Sequence, residues 1–353
     1  MRRHFRDLTV CAALCVAGAA HAADHVDITW MSITNVLFDF GATHLLADGY
    51  ITRLPESIFS GGGGVDVTSR AMRPDEAAVR EVYEALGGRR AVNLLITGHS
   101  HFDHSFDTPV WAQLTGASIV GSPTTCLQTQ AAKIPAARCR PVLGGERLDR
   151  SGVRIYVVRW NHSGDPAKNP AQHNARELSA VPVPDAHGAL RAGVAEDFPN
   201  GGGNRAYLFV MDTPHRPLTI FFQDSASAVD LMVPIVLDGK DYGAPLDNLR
   251  RALAAAGVQG VDLWIGTGGR DVAALVLPVL NPKAYLPVHW DGLWRPFKAG
   301  VEAPFSDPEL EALLETAAVK LVAPAQYMDK WRLDHDGMHP LDNTTVKSRL
   351  GFH

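Results

Sequence analysis

A dense run of potential metal ligands is the feature that most constrains this chain. Four such side chains fall within six residues, namely His99, His101, Asp103 and His104. They directly follow Val92–Ile96, which is apolar except for Asn93 and is typical of a buried strand. Imidazole nitrogens and carboxylate oxygens are ligands that zinc and related divalent metals take from proteins. The run therefore predicts a metal centre at the end of a strand.

The spacing of the run divides it into two parts. Residues two apart in an extended segment point to the same side, so His99 and His101 can contact one ion. Asp103 and His104 come a turn later, where a helix is expected to begin, and can face a second ion. The alternative is a histidine-rich surface loop. The position of the run at a strand end, outside any polar tract, favours the metal centre.

The rest of the chain alternates between helix and strand patterns in two similar halves. Each half has a sheet section followed by helix–strand units, which predicts two sheets packed face to face with helices on the outer faces. A long segment between 161 and 203 is rich in Pro, Gly, Asn and Asp. Loops of this length are often functional, and we expect this one to cover the site.

The motif His99-x-His101-x-Asp103-His104 resembles the main metal motif of the metallo-β-lactamase superfamily. The resemblance extends from Val26 to Trp290 and implies an α/β fold, a four-layer αβ/βα sandwich. The implied domain spans 23–353, with a core of about 26–325. The superfamily pattern requires three more ligands, each near the end of a strand. The matching positions are His162 after Val153–Arg159, Asp224 after Thr219–Phe222, and His289 after Ala284–Val288.

The resemblance implies two divalent metal ions, with Zn²⁺ expected and Mn²⁺ or iron as alternatives. One ion would be bound by His99, His101 and His162, and the other by Asp103, His104 and His289. Asp224 would bridge them, and a hydroxide between the ions would attack the substrate. Asp103 would also orient that hydroxide. Asp48, after the opening strands, would accept the free N–H of a ligand histidine.

Several of these positions have a simpler interpretation. A lone histidine such as His162 or His289 is often a surface or core residue, and Asp230 competes with Asp224 for the bridging position. Asp48 before Gly49 is also a common turn residue. His173 and His187 are the histidines of the long loop that can reach the site.

The expected activity is hydrolysis of an ester, lactone or phosphodiester in a small-molecule substrate. As the resemblance implies, true zinc β-lactamases carry Cys or Ser where this chain has Asp224, which argues against β-lactam hydrolysis. That activity is kept as an alternative because export fits it. Asp48–Arg53, together with the segment from Gly98 to Ser122, resembles the branch with L-ascorbate-6-phosphate lactonase-like and N-acyl-phosphatidylethanolamine phospholipase D-like hydrolases. A metal-binding protein without catalysis is the other alternative.

Charge and composition exclude some partners. The chain has 33 basic and 38 acidic residues and a net charge of −5. It therefore lacks the surplus of basic residues that is typical of nucleic-acid-binding proteins. Apolar residues make up 46% and charged residues 20%, as in globular proteins. The oligomeric state is not encoded in any pattern that we detect.

Residues 1–22 have the pattern of a signal peptide. Arg2, Arg3 and Arg6 precede an apolar stretch, Leu8–Ala20, which is short for a bilayer span, and Ala20-His21-Ala22 fits a cleavage site. We expect an exported chain, periplasmic or secreted, with no integral membrane segment after cleavage. An uncleaved membrane anchor is the alternative. Arg2-Arg3-His4-Phe5 resembles only part of a twin-arginine signal, so the pattern leaves the export route open between the general secretory and twin-arginine pathways.

Export changes how the cysteines are interpreted. Cys126 and Cys139 are the pair that remains after removal of the signal peptide. Oxidising compartments permit disulfides, so a bridge between them is favoured, with two buried thiols as the alternative.

Overall fold

The computed structural model describes residues 23–55, 71–168, 170, 173, 175–191 and 203–352. The predicted signal peptide, 1–22, lies outside the described residues. Parts of the predicted 161–203 loop also lie outside them.

The strands of the amino-terminal half alternate with helices after a three-stranded opening. Their bounds are β1 (Val26–Ser32), β2 (Asn35–Asp39), β3 (His44–Ala47), β4 (Ala71–Met72), β5 (Leu94–Ile96), β6 (Ser118–Gly121), β7 (Cys139–Pro141), β8 (Arg147–Arg150) and β9 (Val153–Trp160). The strands that follow are β10 (Leu190–Arg191), β11 (Asn204–Met211), β12 (Leu218–Phe222), β13 (Val236–Leu237), β14 (Lys240–Asp241), β15 (Val261–Gly266), β16 (Pro282–Pro287), β17 (Lys320–Leu321), β18 (Asp329–Asp334) and β19 (Gly337–Leu341).

Three of the eight helices in the described structure begin with a side-chain cap. The bounds of the eight are α1 (Glu76–Ala85), α2 (Phe102–Ser105), α3 (Thr108–Thr115), α4 (Pro123–Ala131), α5 (Pro245–Ala256), α6 (Gly269–Leu280), α7 (Pro308–Thr316) and α8 (Thr344–Leu350). The carboxylate of Asp75 accepts hydrogen bonds from the first free N–H groups of α1, and the hydroxyl of Ser122 does the same for α4. Such caps satisfy backbone donors that have no partner within the helix.

Two large mixed sheets form the centre of the described structure. One has the strand order β19-β18-β1-β2-β3-β5-β6-β7, and the other has the order β17-β16-β15-β12-β11-β9-β8. In the first sheet, β3, β5, β6 and β7 are parallel. In the second, β12, β15, β16 and β17 are parallel, and β9 runs in the same direction because β11 is antiparallel to both β9 and β12.

The core has a layer between the sheets and layers beneath the helices. Phe38 on the first sheet contacts Phe209 and Phe222 on the second, with ring centroids 5.1 and 6.2 Å apart. Helices α1, α3, α4 and α8 contribute buried side chains to the cluster that includes the first sheet. Helices α5, α6 and α7 cover the outer face of the second sheet. Since the second sheet is buried on both faces, its central strands are buried along their whole length and are mostly apolar.

The predicted arrangement of two face-to-face sheets with helices outside is therefore the observed one. β18 pairs with β1 and β19 pairs with β18, so the first sheet continues past residue 325, near which the sequence places the end of the core. The helix expected to begin at Asp103 and His104 is the short α2, and α3 follows it after two residues. None of the helices in the described ranges combines the length and the apolarity that a bilayer crossing requires.

Candidate metal centre

The site lies at one edge of the two sheets, where the strands end. The histidine-rich run follows β5, His162 follows β9, Asp224 follows β12, and His289 follows β16. Parallel strands end at the same edge of a sheet, so side chains that are far apart in sequence meet there. Three groups of ligand atoms result, within 4.8 Å in each group. Their members are His99, His101 and His162; Asp103, His104 and His289; and His99, His104 and Asp224.

The first group brings three imidazoles together. Nδ1 of His101 lies 3.0 Å from Nε2 of His99 and 3.0 Å from Nε2 of His162. Three nitrogens bound to one tetrahedral Zn²⁺ at about 2.0–2.1 Å would be separated by about 3.3 Å, so these spacings fit a single ion. Nε2 of His101 is buried and has no hydrogen-bond partner among the described residues. The ligand atom that His101 offers to this group is therefore its Nδ1.

The second group has two imidazoles and a carboxylate. Oδ2 of Asp103 lies 3.3 Å from Nε2 of His104 and 3.2 Å from Nε2 of His289. Asp103 and His104 are on the short helix α2, directly after His101, so the two groups are adjacent. These are the two sets that the resemblance implies, and their spacing again fits one ion each.

Asp224 meets the histidines on a different edge of their rings. Its Oδ2 lies 2.7 Å from Nδ1 of His99 and 3.3 Å from Nδ1 of His104, whereas the Nε2 atoms of both rings face the two groups described above. A Cβ on Gly98 would lie 2.1 Å from Cγ of Asp224, so only glycine permits this approach. Oδ1 of Asp224 is buried without a partner in the described structure. The bridging role of Asp224 stays a prediction.

Asp48 contacts His104 from behind the site. Its Oδ2 lies 2.9 Å from Nδ1 of His104 and accepts a 2.6 Å hydrogen bond from the hydroxyl of Thr34. Its Oδ1 accepts a hydrogen bond from the backbone N–H of Gly98 at 3.1 Å. The contact leaves Nε2 of His104 free to face Asp103. This is the position predicted for a residue that orients a ligand histidine.

Two of the site residues have a strained backbone. Asp48 has φ +56° and His289 has φ +64°, in the left-handed region that non-glycine residues rarely adopt. Ile33, at φ +45°, accepts a hydrogen bond from the N–H of His289 at 3.0 Å. Both oxygens of Asp291 accept from the N–H of Ile33 at 3.0 Å. Strained positions of this kind are concentrated at functional sites, where surrounding contacts maintain them.

Burial and charge set the protonation of the two groups. Burial, together with neighbouring histidines, lowers the pKa of His99 and His162 well below the ordinary value. Burial also lowers the pKa of His101 to about 4. Neutral imidazole is the form that binds a metal.

In the part of the site that contains the carboxylates, the pKa values of neighbouring groups are shifted in different directions. Burial opposes ionisation of Asp103, but the adjacent His104 and His289 lower the pKa of Asp103 well below its ordinary value. Burial also opposes protonation of His104, yet the carboxylates of Asp103, Asp48 and Asp224 raise the pKa of His104 well above its ordinary value. Burial raises the pKa of Asp224.

Some residues at the site were not predicted as part of it, or were left open. Thr34 touches both Asp48 and His104, at 3.0 Å from Nδ1 of the latter, and only its place between two strands signals this. His173 reaches the site from the long loop, with its ring 5.4 Å from that of His162. Asp230, the competitor of Asp224, lies apart from the three groups and accepts from Asn161 at 2.5 Å.

No family model matches the sequence. Two curated relatives are described as UPF0173 metal-dependent hydrolases. The protein from Methylobacterium nodulans is 30% identical over 136 residues, which are 38% of this chain and 48% of the relative. The protein from Pyrobaculum arsenaticum is 28% identical over 141 residues, which are 40% of this chain and 52% of the relative. The chain thus spans about half the length of the curated relatives that it matches.

Among solved structures, Igni18, described as a novel metallo hydrolase from the hyperthermophilic archaeon Ignicoccus hospitalis, aligns with 88% of this chain and 99% of its own. The TM-score is 0.50 and the identity 11%, which is a likeness of fold. The predicted fold class is confirmed. The chain has the metallo-β-lactamase fold, and its similarity in sequence is to metal-dependent hydrolases.

Proposed function

We propose that this chain is an exported metal-dependent hydrolase that uses two divalent cations, most simply Zn²⁺, to cleave an ester, lactone or phosphodiester. The observation that carries the proposal is the pair of adjacent groups at the sheet edge. Each group offers three ligand atoms with spacings that fit one ion, formed by His99, His101 and His162 and by Asp103, His104 and His289. The similarity to UPF0173 metal-dependent hydrolases supports the same activity.

Two bound cations supply Lewis acidity and lower the pKa of a water towards neutrality. The chain's own residues supply the geometry. The carboxylate of Asp103, ionised because of His104 and His289, accepts a hydrogen bond from the attacking water and orients it. Asp48 keeps Nδ1 of His104 engaged, which directs Nε2 of that ring to the second group. Asp224 contacts one histidine from each group and so couples their positions.

Within hydrolases, we place the substrate among small molecules with a lactone, ester or phosphodiester bond. The support is the resemblance of Asp48–Arg53 and of the segment from Gly98 to Ser122 to the branch with L-ascorbate-6-phosphate lactonase-like and N-acyl-phosphatidylethanolamine phospholipase D-like hydrolases. The presence of Asp at 224 favours this class over β-lactam hydrolysis. The absence of a basic surplus favours a small substrate over nucleic acid.

Export is part of the proposal. Cys126 on α4 and Cys139 on β7 form a disulfide, and both residues are buried. Disulfides persist in oxidising compartments and are rare where thiols are kept reduced, so this bridge supports export. Sequencing the amino terminus of the chain recovered from the cell envelope or the medium tests it directly. A start at Ala23 is expected, and an intact Met1 would contradict cleavage.

The activity is tested with the purified exported chain and four substrates. These are a γ-lactone, an aryl ester, an aryl phosphodiester and a chromogenic β-lactam, each with and without a chelator. We expect turnover of the lactone, the ester or the phosphodiester that the chelator abolishes and added Zn²⁺ restores, with two metals bound per chain. Chelator-insensitive turnover would contradict the metal mechanism. Turnover of the β-lactam alone would favour the alternative activity, and silence with bound metal would favour a non-catalytic protein.

A further inference from the structure

A cavity of about 200 Å³ lies beside the metal centre. His162, whose Nε2 belongs to the first ligand group, is part of its lining. One wall is the segment 233–237, which is apolar at every position, Val-Pro-Ile-Val-Leu. The polar side chains of Asn161, Asn204, His173 and Asp230 also line the cavity. The cavity therefore has an apolar wall, a polar wall and direct access to a predicted metal ligand.

Exposed apolar side chains are concentrated beside this cavity. In the described structure, the large apolar residues that are exposed are Val181, Val183, Val229, Met232, Val233 and Val236. The last four belong to one short segment that follows Asp224. Val233 and Val236 line the cavity, and their exposed fractions are 53% and 59%. Single exposed apolar side chains are common on protein surfaces and need no explanation. A cluster of them typically marks a binding site.

The polar wall has unused hydrogen-bonding atoms. Oδ1 of Asn161, Nδ2 of Asn204 and Nε2 of His173 are buried and have no partner among the residues that the structure describes. Nδ2 of Asn161 donates to the carbonyl of Ser227 at 2.7 Å and to Asp230, so its Oδ1 is fixed as a free acceptor. Asn161 and Asn204 are 5% and 3% exposed. Buried polar atoms without a partner cost free energy, which a bound polar group would recover.

We infer that this cavity binds the non-reacting part of the substrate, an apolar acyl chain that carries a hydrogen-bonding group. The acyl chain of the substrate would lie against residues 233–237, and its polar group would form hydrogen bonds with Asn161 and Asn204. At about 30 Å³ for each non-hydrogen atom, the volume of a water, the cavity accommodates six or seven such atoms. This inference rests on the proposed hydrolase function, since the scissile bond is assigned to the adjacent metal centre.

The apolar wall is tested with aryl esters of straight-chain acids from two to ten carbons. For the unmodified chain, kcat/KM should rise about fourfold for each added CH₂ up to about six carbons and then level off. Val233→Asp should flatten this dependence, because the charge lies on the cavity wall. Val229→Asp is the matched control, since Val229 belongs to the same segment and is exposed but does not line the cavity. It should preserve the dependence on chain length.

The polar wall is tested with two esters of equal chain length, one with an amide in place of two methylene groups. The unmodified chain should prefer the amide ester, and Asn204→Leu should reverse the preference because it removes the free donor. Equal preferences in both proteins would overturn the polar part of the inference.

Failure of the inference and failure of the proposed function give different results. Chelator-sensitive turnover with no dependence on chain length would overturn the inference and leave the hydrolase intact. If no ester is turned over, calorimetry with hexanoate and the metal-loaded chain decides. Binding that Val233→Asp weakens at least tenfold and Val229→Asp preserves would support the inference without the hydrolase. Absence of binding would overturn it.

Discussion

The carboxylate of Asp48 lies 2.9 Å from Nδ1 of His104, although 55 residues of chain separate them. The same carboxylate accepts from Thr34 and from the N–H of Gly98, so all of its contacts are to groups that surround the site. The contact fixes which nitrogen of His104 faces the second ligand group.

Asp48→Asn should weaken metal binding at the second group about 10- to 100-fold while the first group retains its metal. The amide cannot bear the negative charge that polarises His104, but asparagine tolerates the left-handed backbone at this position. Competition with a chromophoric chelator measures both affinities. Asp39→Asn, at the half-buried last residue of β2, is the control. Unchanged affinity at both groups would show that Asp48 has no orienting role.

Asp224→Ala should abolish binding of at least one metal and hydrolysis together, while the far-UV circular dichroism of the chain is retained. The carboxylate is buried and contacts one histidine of each group, so its loss leaves both rings without a positioning partner. Metal content by atomic emission and the spectrum are measured on the same sample. Full activity in this variant would exclude both the bridging and the positioning roles.

Gly98→Ala should destabilise the chain by about 1–3 kcal/mol, because its Cβ would overlap Cγ of Asp224. If that overlap is the cause, adding Gly98→Ala to Asp224→Ala should cost much less than adding it to the unmodified chain. Urea unfolding of the four proteins forms a double-mutant cycle. Additive effects would place the strain elsewhere.

Stability should also depend on Asp262, far from the metal centre. Burial opposes its ionisation, but Arg216 and Lys283 lower the pKa of Asp262 below its ordinary value, and Thr219 donates to it as well. The folded state then binds fewer protons than the unfolded state, so the stabilisation is present above about pH 4. It is lost as pH falls through the lowered pKa.

Asp262→Asn should therefore cost about 2 kcal/mol at pH 7 and much less near pH 2.5. Urea unfolding of metal-free protein across this range gives the difference without interference from metal release. Asp271→Asn, at an exposed ion pair, should change little at any pH. A constant difference for Asp262→Asn across the range would contradict the linkage.

The disulfide should contribute about 3 kcal/mol to the free energy of unfolding, since it closes a loop with a sequence separation of 13. Replacing Cys126 and Cys139 by serine should lower stability by this amount. Dithiothreitol should destabilise the unmodified chain and leave the serine variant unchanged. Equal sensitivity to dithiothreitol in both proteins would assign its effect to another cause.

Much of the site was predictable because its parts are local. An apolar strand followed by His99, His101, Asp103 and His104 places ligands at a strand end whatever the rest of the chain does. His162 and His289 were expected only because the resemblance requires further ligands at strand ends, and the structure places each of them in one of the two groups. The pairing of Cys126 with Cys139 agrees with the prediction.

Other features needed the packed structure. Nothing local indicates that Thr34 contacts Asp48 and His104, or that Asp224 meets Nδ1 of His99. The return of β18 to pair with β1, which carries the core past residue 325, depends on partners about 300 residues apart. Periodicity describes one segment at a time and does not contain such pairings.

The sequence by itself determined the residue types at the metal centre and the strand ends that carry them, because backbone geometry and ligand chemistry act over a few residues. Tertiary structure alone decided which nitrogen of each imidazole faces its neighbours, and which residues form the walls of the cavity beside His162. Those outcomes depend on how the two sheets pack, since the packing sets distances between side chains that the chain itself leaves unconstrained.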